Sequence, residues 1–444
     1  MSLFGTSGIR GPVGESVTAD LALSVGRAVA TEGATRVALG RDPRATGEWL
    51  SGAVAAGLRE CGADVVDLGM VSTPTLARGV AWNDADAGVM VTASHNPAPD
   101  NGIKLWNPSG QAYTPEQCDR IETRMEDATY ALSPWDRTGR SEEVPRAVDR
   151  HVATLVGRTP SLSGLSVVVD VGNGAGGLTA RALSDLDADV SVLNATPDGT
   201  FPGRPSEPTA ENCEVLSRVV ADSDADLGIA HDGDGDRMRA ATESGRFVPG
   251  DVLLALFGRM AAGEGGRVAA PIDTSLAVDE VLETVGASVT RTRVGDVFVA
   301  ERATEPDVVF GGEPSGAWIW PEETLCPDGP LAACRLAELI ATEGSFDALA
   351  GEVPLPELRR GAARVEESEK ADLMARVERE VEAEYDAERL TTIDGVHVTF
   401  DDGWILVRPS GTEPKVRVTA EAHESERAEE LLGIAESLVG RPVS

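Results

Sequence analysis

Lysine is nearly absent from this chain of 444 residues, which contains only Lys104, Lys370 and Lys415. Lysine and arginine together number 39 against 74 aspartates and glutamates, so the formal net charge is −35. A surface of that charge repels other polyanions, which argues against nucleic acid and anionic membranes as general partners. The acidic residues are spread along the chain and are not collected in one tail. This pattern is typical of a heavily hydrated surface suited to high salt, and we expect a halophilic source. An anionic ligand trap is the alternative.

Cysteine and long apolar runs are also scarce. The five cysteines are scattered, odd in number and form no C-x-x-C pair, which argues against a zinc site and a disulfide framework. No apolar run approaches the roughly 20 residues of a membrane-spanning helix. The N-terminus lacks the basic and apolar regions of a signal peptide. We therefore expect a cytoplasmic protein with no membrane partner.

Short apolar runs alternate with helical patterns through the first three quarters of the chain. This alternation predicts βαβ units and largely parallel sheets. The strongest predicted strands lie at 37–40, 64–68, 87–91, 166–170, 226–230, 267–270 and 307–310. An acidic helical segment at 366–388 follows, and after it come four shorter strands typical of an antiparallel sheet: 391–393, 396–400, 404–408 and 416–419.

Polar or proline-containing stretches near 133–149, 242–250 and 354–368 divide the chain into units of ordinary domain size. We predict an α/β protein with three tandem mixed α/β domains and a C-terminal α+β domain. The predicted domains span residues 1–148, 149–248, 249–358 and 359–444.

The run from Thr92 to Pro97, Thr-Ala-Ser-His-Asn-Pro, carries the most chemical information. It follows the predicted strand at 87–91, so Ser94 lies at the carboxyl end of a strand, where open α/β sheets bind ligands. Asn-Pro favours a turn. The sequence therefore places the Ser94 hydroxyl beside His95 on a tight loop.

A second loop runs from His231 to Arg237 and alternates aspartate with glycine. Asp232, Asp234 and Asp236 can surround one hard divalent cation, whereas the same carboxylates without a cation repel one another. An EF-hand is excluded, because Arg237 stands where its turn glycine belongs and a strand precedes the loop. Three carboxylates leave positions for a phosphoryl oxygen, which suits Mg²⁺. A solvated acidic turn is the alternative.

Two further loops carry weaker signals. In the run 311–316, Glu313 and Ser315 can hydrogen-bond vicinal sugar hydroxyls, although an ordinary strand-to-helix turn also explains the pattern. The run 408–415 combines a guanidinium, hydroxyls and a glycine turn, which form a phosphate cradle or a polar hairpin. Lys104 lies close to the serine loop in a chain that otherwise uses arginine, and this suggests proton transfer. A surface lysine is the alternative.

These loops, in this order, resemble those of the α-D-phosphohexomutase superfamily. The opening run 4–11, Phe-Gly-Thr-Ser-Gly-Ile-Arg-Gly, is similar to that family's N-terminal signature. The runs 197–202 and 325–329 are similar to its archaeal branch, whose members are assigned as phosphoglucosamine mutases or phosphomannomutase/phosphoglucomutases; a haloarchaeal member is expected. The resemblance implies four domains around a central active-site cleft. One departure is Ala317 after Gly316, where many bacterial relatives have histidine, and this weakens any transfer of their sugar specificity to this chain.

The resemblance also implies a role for each loop. Ser94 would be the phosphorylated catalytic serine, and its phosphate would complete a Mg²⁺ site formed by the three aspartates. Arg10, His95, Lys104 and Arg237 would surround the reacting phosphoryl group. Glu313 and Ser315 would hold sugar hydroxyls. The phosphate that does not react would bind to Arg408, Ser410, Gly411 and Thr412.

The implied activity interconverts hexose 6-phosphate and hexose 1-phosphate through phospho-Ser94 and a hexose 1,6-bisphosphate. Glucosamine phosphate is the favoured substrate, with a broad phosphomannomutase/phosphoglucomutase as the alternative. A Mg²⁺-dependent sugar phosphatase and a sugar-phosphate binding protein are the rivals from other classes. Lys104 and His95 are both candidates for moving the hydroxyl proton. The sequence leaves open whether the chain is a monomer or a homodimer.

Overall fold

The computed structural model describes residues 3–5, 8–263, 265–386, 389–410 and 414–440, and these form four β-sheets in chain order. The first three sheets contain parallel strands flanked by helices, while the fourth is antiparallel throughout. The predicted fold class, three mixed α/β units followed by an α+β unit, is confirmed. Among the described residues, no helix is both long and apolar enough to cross a membrane.

The first sheet has six strands in the order β1-β5-β4-β2-β3-β6, with β1 and β5 antiparallel to their neighbours. Its elements are β1 (Ile9–Pro12), α1 (Ala19–Thr31), β2 (Arg36–Arg41), α2 (Gly47–Glu60), β3 (Asp64–Met70), α3 (Thr73–Trp82), β4 (Ala87–Val91), β5 (Asp100–Trp106), α4 (Pro115–Glu126), β6 (Ser141–Glu143) and α5 (Ala147–Val156). Ser72 caps the N-terminus of α3 by accepting from the Thr75 N–H, and a proline stands in the helix's first turn.

The second sheet has four strands in the order β10-β9-β7-β8, with β10 antiparallel to β9. Its elements are β7 (Ser166–Asp170), α6 (Leu178–Asp185), β8 (Asp189–Leu193), α7 (Glu214–Ala221), β9 (Leu227–His231) and β10 (Met238–Thr242). Because β9 and β10 form a hairpin, the predicted metal loop is the short connection between them.

The third sheet has the order β12-β11-β13-β14, and only β14 is antiparallel. Its elements are α8 (Gly250–Ala262), β11 (Arg267–Pro271), α9 (Leu276–Glu283), β12 (Ser288–Thr292), α10 (Asp296–Arg302), β13 (Val308–Glu313), β14 (Ala317–Ile319), α11 (Gly329–Glu343) and α12 (Phe346–Gly351). The second and third sheets share one continuous apolar core, which runs from Val152 to Val353.

The fourth sheet has the order β15-β19-β18-β17-β16 and an apolar core of its own. Its elements are β15 (Glu357–Arg364), α13 (Glu367–Glu384), β16 (Leu390–Thr391), β17 (Val396–Phe400), β18 (Gly403–Pro409), β19 (Lys415–Ala422) and α14 (Ser425–Gly440). β15 lies inside the stretch 354–368 that the sequence predicted as a joint between domains. A small cluster of Ile272, Trp404 and Leu406 joins this unit to the third.

Candidate active site

The serine loop begins where β4 ends, as predicted, and it turns Ser94 inward. Ser94 is 1% exposed, and its φ is +51°. This left-handed conformation is energetically unfavourable for any residue that has a side chain. Its Oγ donates a hydrogen bond to Oδ2 of Asp232 over 2.6 Å. The same Oγ lies 3.4 Å from Nδ1 of His95. The hydroxyl therefore points directly at the aspartate loop.

The aspartate loop brings its three carboxylates together in the interior. Asp232, Asp234 and Asp236 are all buried, and each offers an oxygen within 4.8 Å of the other two. Gly233 lets this loop approach the serine loop, because a Cβ there would lie 2.7 Å from the Ser94 carbonyl oxygen. The solvated acidic turn considered from the sequence is wrong, since none of these aspartates is exposed.

The donor set of this cluster fits a hard divalent cation. Oδ1 of Asp234 is buried and has no hydrogen-bond partner among the described residues. Burial and the neighbouring Asp236 and Asp234 raise the pKa of Asp232 well above its ordinary value. Both features are costs that a bound cation removes. Oxygen ligands alone, without histidine or cysteine, suit Mg²⁺ better than zinc.

Lysine and arginine from the neighbouring strands face the carboxylates. β4 and β5 pair Met90 with Lys104, and the Lys104 ammonium lies 2.7 Å from Oδ2 of Asp236 and 3.3 Å from Oδ2 of Asp234. Burial opposes this charge, but the two aspartates raise the pKa of Lys104 above its ordinary value. The surface-lysine alternative is wrong, because Lys104 is buried. Arg10, on the adjacent β1, interacts with the same two aspartates.

His95 differs from Lys104 in its protonation. Burial, and then the positive charges of Arg237, Arg10 and Lys104, lower the pKa of His95 to about 2. Its imidazole is therefore neutral at physiological pH, whereas Lys104 is charged. Burial opposes the charge of Arg237, but Asp232 and Asp236 raise its pKa. The site thus combines one neutral base with three cations.

Glu313 ends β13 and is fixed by backbone and side-chain donors. Its Oε1 accepts a hydrogen bond of 2.7 Å from the Gly295 N–H, and its Oε2 accepts one of 3.3 Å from Ser315 Oγ. Burial, together with the carboxylate of Asp296, raises the pKa of Glu313 to about 7. Glu313 and Ser315 therefore form a hydrogen-bonded pair of polar side chains that can bind a ligand.

A cavity of about 330 Å³ connects these groups, near the lower end of the usual size of small-molecule sites. Residues from all four sheet units line it: Arg10, Ser94, Lys104, Asp236, Arg237, Asp251, Asp273, Asp296, Glu313, Ser315, Arg360 and Glu421, among others. A larger cavity of about 920 Å³ lies between α8, α11 and the segment 303–306 that follows α10. Its described lining includes no residue predicted from the four loops. We therefore assign the site to the smaller cavity.

The predicted phosphate loop is described only in part. Arg408 forms an ion pair with Asp394 over 3.1 Å, and the Ser410 carbonyl accepts from Lys370. Gly411 and Thr412 lie outside the described residues. Arg408 and Ser410 do not line the cavity, but Arg408 is the strongest positive neighbour of Asp273, which does. Arg408, a described residue of this loop, therefore lies beside the cavity.

Sequence reasoning missed five charged residues of the cavity wall, namely Asp251, Asp273, Asp296, Arg360 and Glu421. Asp296 and Arg360 show why. Asp296 begins α10 and interacts electrostatically with Arg10, Lys104 and Arg237. The signal for it was its place just after β12, a strand that was not predicted from the sequence. Arg360 lies on β15, inside a stretch interpreted as a joint, and no motif marks it.

The raised pKa of Glu313 gives a stability prediction. The carboxyl of Glu313 has a pKa near 7 in the folded state and an ordinary pKa of 4.5. Its contribution to stability is therefore full below pH 4.5 and is lost as the pH rises to 7. Glutamine does not ionise, so Glu313→Gln should gain stability relative to the unmodified chain between about pH 5 and about pH 8, by up to about 3 kcal/mol. Urea unfolding at both pH values measures it. Glu305→Gln, at a half-buried carboxylate whose pKa is lowered by hydrogen bonds from Arg267 and Arg302, should show no such gain.

Comparison with known proteins gives matches over the whole chain. Four phosphoglucomutase/phosphomannomutase models match in order: alpha/beta/alpha domain I at residues 1–131, domain II at 149–245, domain III at 249–355 and the C-terminal domain at 362–434. A "probable phosphoglucosamine mutase" of Methanosarcina barkeri is 45% identical over 440 residues, which cover 99% of each chain.

Solved structures agree with these matches. A phosphoglucomutase/phosphomannomutase family protein from Burkholderia thailandensis is 29% identical, with a TM-score of 0.89, and the match covers 100% of this chain and 98% of that one. The N-acetylphosphoglucosamine mutase of Aspergillus fumigatus, solved with GlcNAc-6P and magnesium, is 17% identical with a TM-score of 0.60, covering 98% of this chain and 95% of that one. The fungal likeness is one of fold alone.

Proposed function

The chain belongs to the phosphoglucomutase/phosphomannomutase family and is a phosphohexomutase, and we propose that it interconverts glucosamine 6-phosphate and glucosamine 1-phosphate. The observation that carries the chemistry is the 2.6 Å hydrogen bond from Ser94 Oγ to Asp232, at the wall of a cavity lined by all four units. The curated archaeal relative named as a probable phosphoglucosamine mutase supports the amino sugar.

The first proposed step transfers the phosphoryl group of phospho-Ser94 to the sugar. The C1 hydroxyl oxygen attacks phosphorus, and the new O1–P bond forms as the Oγ–P bond breaks. The bond electrons remain on Ser94 Oγ, and the hydroxyl proton passes to a base. The neutral imidazole of His95 supports its role as acceptor, and the charged ammonium of Lys104 supports its role as donor.

The second proposed step returns a phosphoryl group to the serine. The hexose 1,6-bisphosphate turns over within the cavity and presents its other phosphate. Ser94 Oγ then passes its proton to a base and attacks phosphorus at position 6, the O6–P bond breaks, and O6 takes up a proton. The hexose 1-phosphate then leaves, and Ser94 is phosphorylated again. Each turnover therefore conserves the phosphoryl groups.

Charge compensation explains why a phosphoserine is tolerated beside three carboxylates. A phosphoserine adds nearly two negative charges, and Arg10, Lys104 and Arg237 supply three positive ones. We propose that Asp232, Asp234, Asp236 and the serine phosphate hold Mg²⁺, which when bound neutralises charge on the phosphoryl oxygens. Oδ1 of Asp234 is buried and has no hydrogen-bond partner within the part of the chain that the structure describes, which supports this site.

Substrate binding is proposed to use two groups of residues. Glu313 and Ser315 form hydrogen bonds with the sugar hydroxyls. Both residues lie on the cavity wall, which supports this role. The phosphate that does not react is assigned to Arg408, Ser410, Gly411 and Thr412. The position of Arg408 beside Asp273 supports this assignment.

We also propose domain boundaries after residues 148, 248 and 358. The four separate sheets support the division into domains.

We further propose a halophilic, haloarchaeal source. Lys104 and Lys370 are buried, so the positive charge of the surface is almost entirely arginine, on a chain of net charge −35. A surface rich in carboxylates requires counterions to limit its self-repulsion.

A turnover assay tests the function and the salt requirement together. Purified chain is given Mg²⁺, a trace of hexose 1,6-bisphosphate and the 1-phosphates of glucosamine, mannose and glucose in separate reactions, at molar and at low KCl. We expect isomerisation with a clear preference for the amino sugar, and loss of activity at low salt. Equal rates on all three sugars would indicate a general hexomutase. Release of free phosphate without isomerisation would overturn the mutase function.

A further inference from the structure

Arg44 is a buried arginine whose side-chain hydrogen bonds are directed almost entirely at the serine loop. It lies just after β2, is 1% exposed, and has five side-chain N–H groups, as every arginine does. Nε donates to Oδ2 of Asp42 over 3.0 Å. The other four N–H groups donate to carbonyl oxygens of the serine loop and of the first residue of β5: Ser94 (2.7 Å), Asn96 (2.7 Å), Pro97 (2.7 Å) and Asp100 (2.8 Å). Every donor of the guanidinium is therefore used.

Asp42 holds the same loop from its other side. It is fully buried, and its Oδ2 accepts a second hydrogen bond, of 2.6 Å, from Thr92 Oγ1. Thr92 Oγ1 in turn accepts 2.8 Å from the backbone N–H of Ser94. The backbone N–H and C=O of Ser94 are thus both bound to one Asp–Arg pair, directly or through one hydroxyl.

The second sheet unit covers this pair with the run 197–206, which includes a sequence motif that the proposed chemistry does not use. The Phe201 ring lies 5.0 Å from the Arg44 guanidinium, and Ser206 Oγ donates to the Ser94 carbonyl over 2.8 Å. Gly199 permits this packing, because a Cβ there would lie 2.3 Å from Cα of Arg44. The serine loop is therefore held between two units.

We propose that Arg44 is a positioning residue for phosphoryl transfer, which fixes the strained backbone of Ser94 so that its Oγ stays in line with the aspartate cluster. The left-handed φ of Ser94 is energetically unfavourable, and four carbonyl bonds from one rigid, planar group offset that cost. This inference rests on the proposed function, because it requires Ser94 to be the residue that carries the phosphate.

The role of Arg44 is geometric and not one of net charge. Asp42 neutralises the guanidinium inside the protein, so the pair adds little net charge to the reacting phosphate. A lysine at this position keeps the ion pair but has three donors on a point charge and cannot make the planar fork. Arg44→Lys therefore separates the arrangement of the loop from its charge.

The test compares Arg44→Lys with Arg78→Lys as a matched control. Arg78 is also buried, lies in the same sheet unit, and its Nε donates to Asp328 over 2.9 Å, away from the serine loop. For each folded variant we measure kcat, KM and the rate at which glucose 1,6-bisphosphate phosphorylates Ser94. A small displacement of a reacting group costs about 100-fold. We expect that loss in kcat and in phosphorylation for Arg44→Lys, with KM within about threefold, and kcat within about threefold for Arg78→Lys.

Other outcomes overturn the inference. It fails if kcat per folded molecule of Arg44→Lys matches that of the unmodified chain, or if both arginine variants lose the same fraction of kcat. Should Arg44→Lys not fold, Thr92→Val and Ser206→Ala each remove one bond to the Ser94 backbone and are expected to lower kcat about tenfold. Unchanged kcat in both also overturns the inference. If the unmodified chain acquires no phosphate at Ser94, the proposed function itself fails, which is a different result.

Discussion

Replacing Ser94 with alanine lowers mutase turnover by at least about 1,000-fold, since loss of a nucleophile removes the covalent route and leaves only binding and charge stabilisation. The alanine keeps the buried position but has no oxygen to exchange phosphoryl groups with the sugar. Turnover is measured as conversion of glucosamine 1-phosphate, and phosphorylation by intact mass after incubation with glucose 1,6-bisphosphate. Ser94→Ala should show no mass increase.

The control for this prediction is Ser163→Ala, at an exposed serine far along the chain from the loop. It should keep full turnover and full phosphorylation. Ser94→Ala should also retain sugar-phosphate binding by calorimetry, because Glu313 and Ser315 are unchanged. Full turnover by Ser94→Ala would contradict the scheme, and a mass increase in that variant would place the phosphate on another residue.

The strands that end at the reactive loops could be predicted because they are apolar and central. The predicted strands at 87–91 and 226–230 correspond to β4 (Ala87–Val91) and β9 (Leu227–His231), and every residue of both is buried. Their carboxyl ends therefore indicated where Ser94 and Asp232 lie. The edge strands β8 and β12 are partly exposed, and their weaker apolar pattern explains why they were not predicted.

β15 could not be predicted for a related reason. Its sequence, Glu-Leu-Arg-Arg-Gly-Ala-Ala-Arg, has no run of large apolar residues, and no residue of it is fully buried. It is held by a register of eight pairs with β19, which depends on a distant part of the chain. Its Arg360 therefore reaches the cavity without any local signal.

Contacts between residues far apart in the chain were the other part that the sequence did not reveal. Arg44 binds the Ser94 carbonyl 50 residues away, and Ser206 reaches the same atom from 112 residues away. The first contact joins two loops of one sheet and the second joins loops of two different sheets, so both depend on tertiary packing. Motifs identify groups that react, but the residues that hold those groups carry ordinary sequence patterns.

The aspartate cluster gives the second large effect, which appears when the metal is removed. Chelation with EDTA is expected to lower turnover by at least about 1,000-fold, because uncompensated carboxylates would then face the phosphoryl oxygens. Adding Mg²⁺ should restore it. Since a ligand that binds only the folded state stabilises it, Mg²⁺ should also raise the Tm of the metal-free chain.

Asp232 and Asp328 are both buried, but the charges around them shift their pKa values in opposite directions. Comparing the two makes this prediction specific to the aspartate cluster. Burial and two neighbouring carboxylates raise the pKa of Asp232, so its charge destabilises the metal-free fold. Burial also opposes ionisation of Asp328, but His151 and Arg78 hold its pKa below the ordinary value, so its charge stabilises the fold. Asp232→Asn should therefore lose turnover and the Mg²⁺-dependent rise in Tm while keeping, or exceeding, the metal-free Tm of the unmodified chain.

Asp328→Asn should behave in the opposite way. Breaking a buried ion pair costs about 3 kcal/mol or more, so its metal-free Tm should fall, yet Mg²⁺ should still raise it. If Asp232→Asn lost as much metal-free stability as Asp328→Asn, Asp232 would be part of a stabilising network and the cluster would not need a cation. If Asp232→Asn kept its Mg²⁺-dependent rise in Tm, the ion would bind elsewhere. Opposite changes in the two variants therefore separate a metal site from buried charge that only supports the fold.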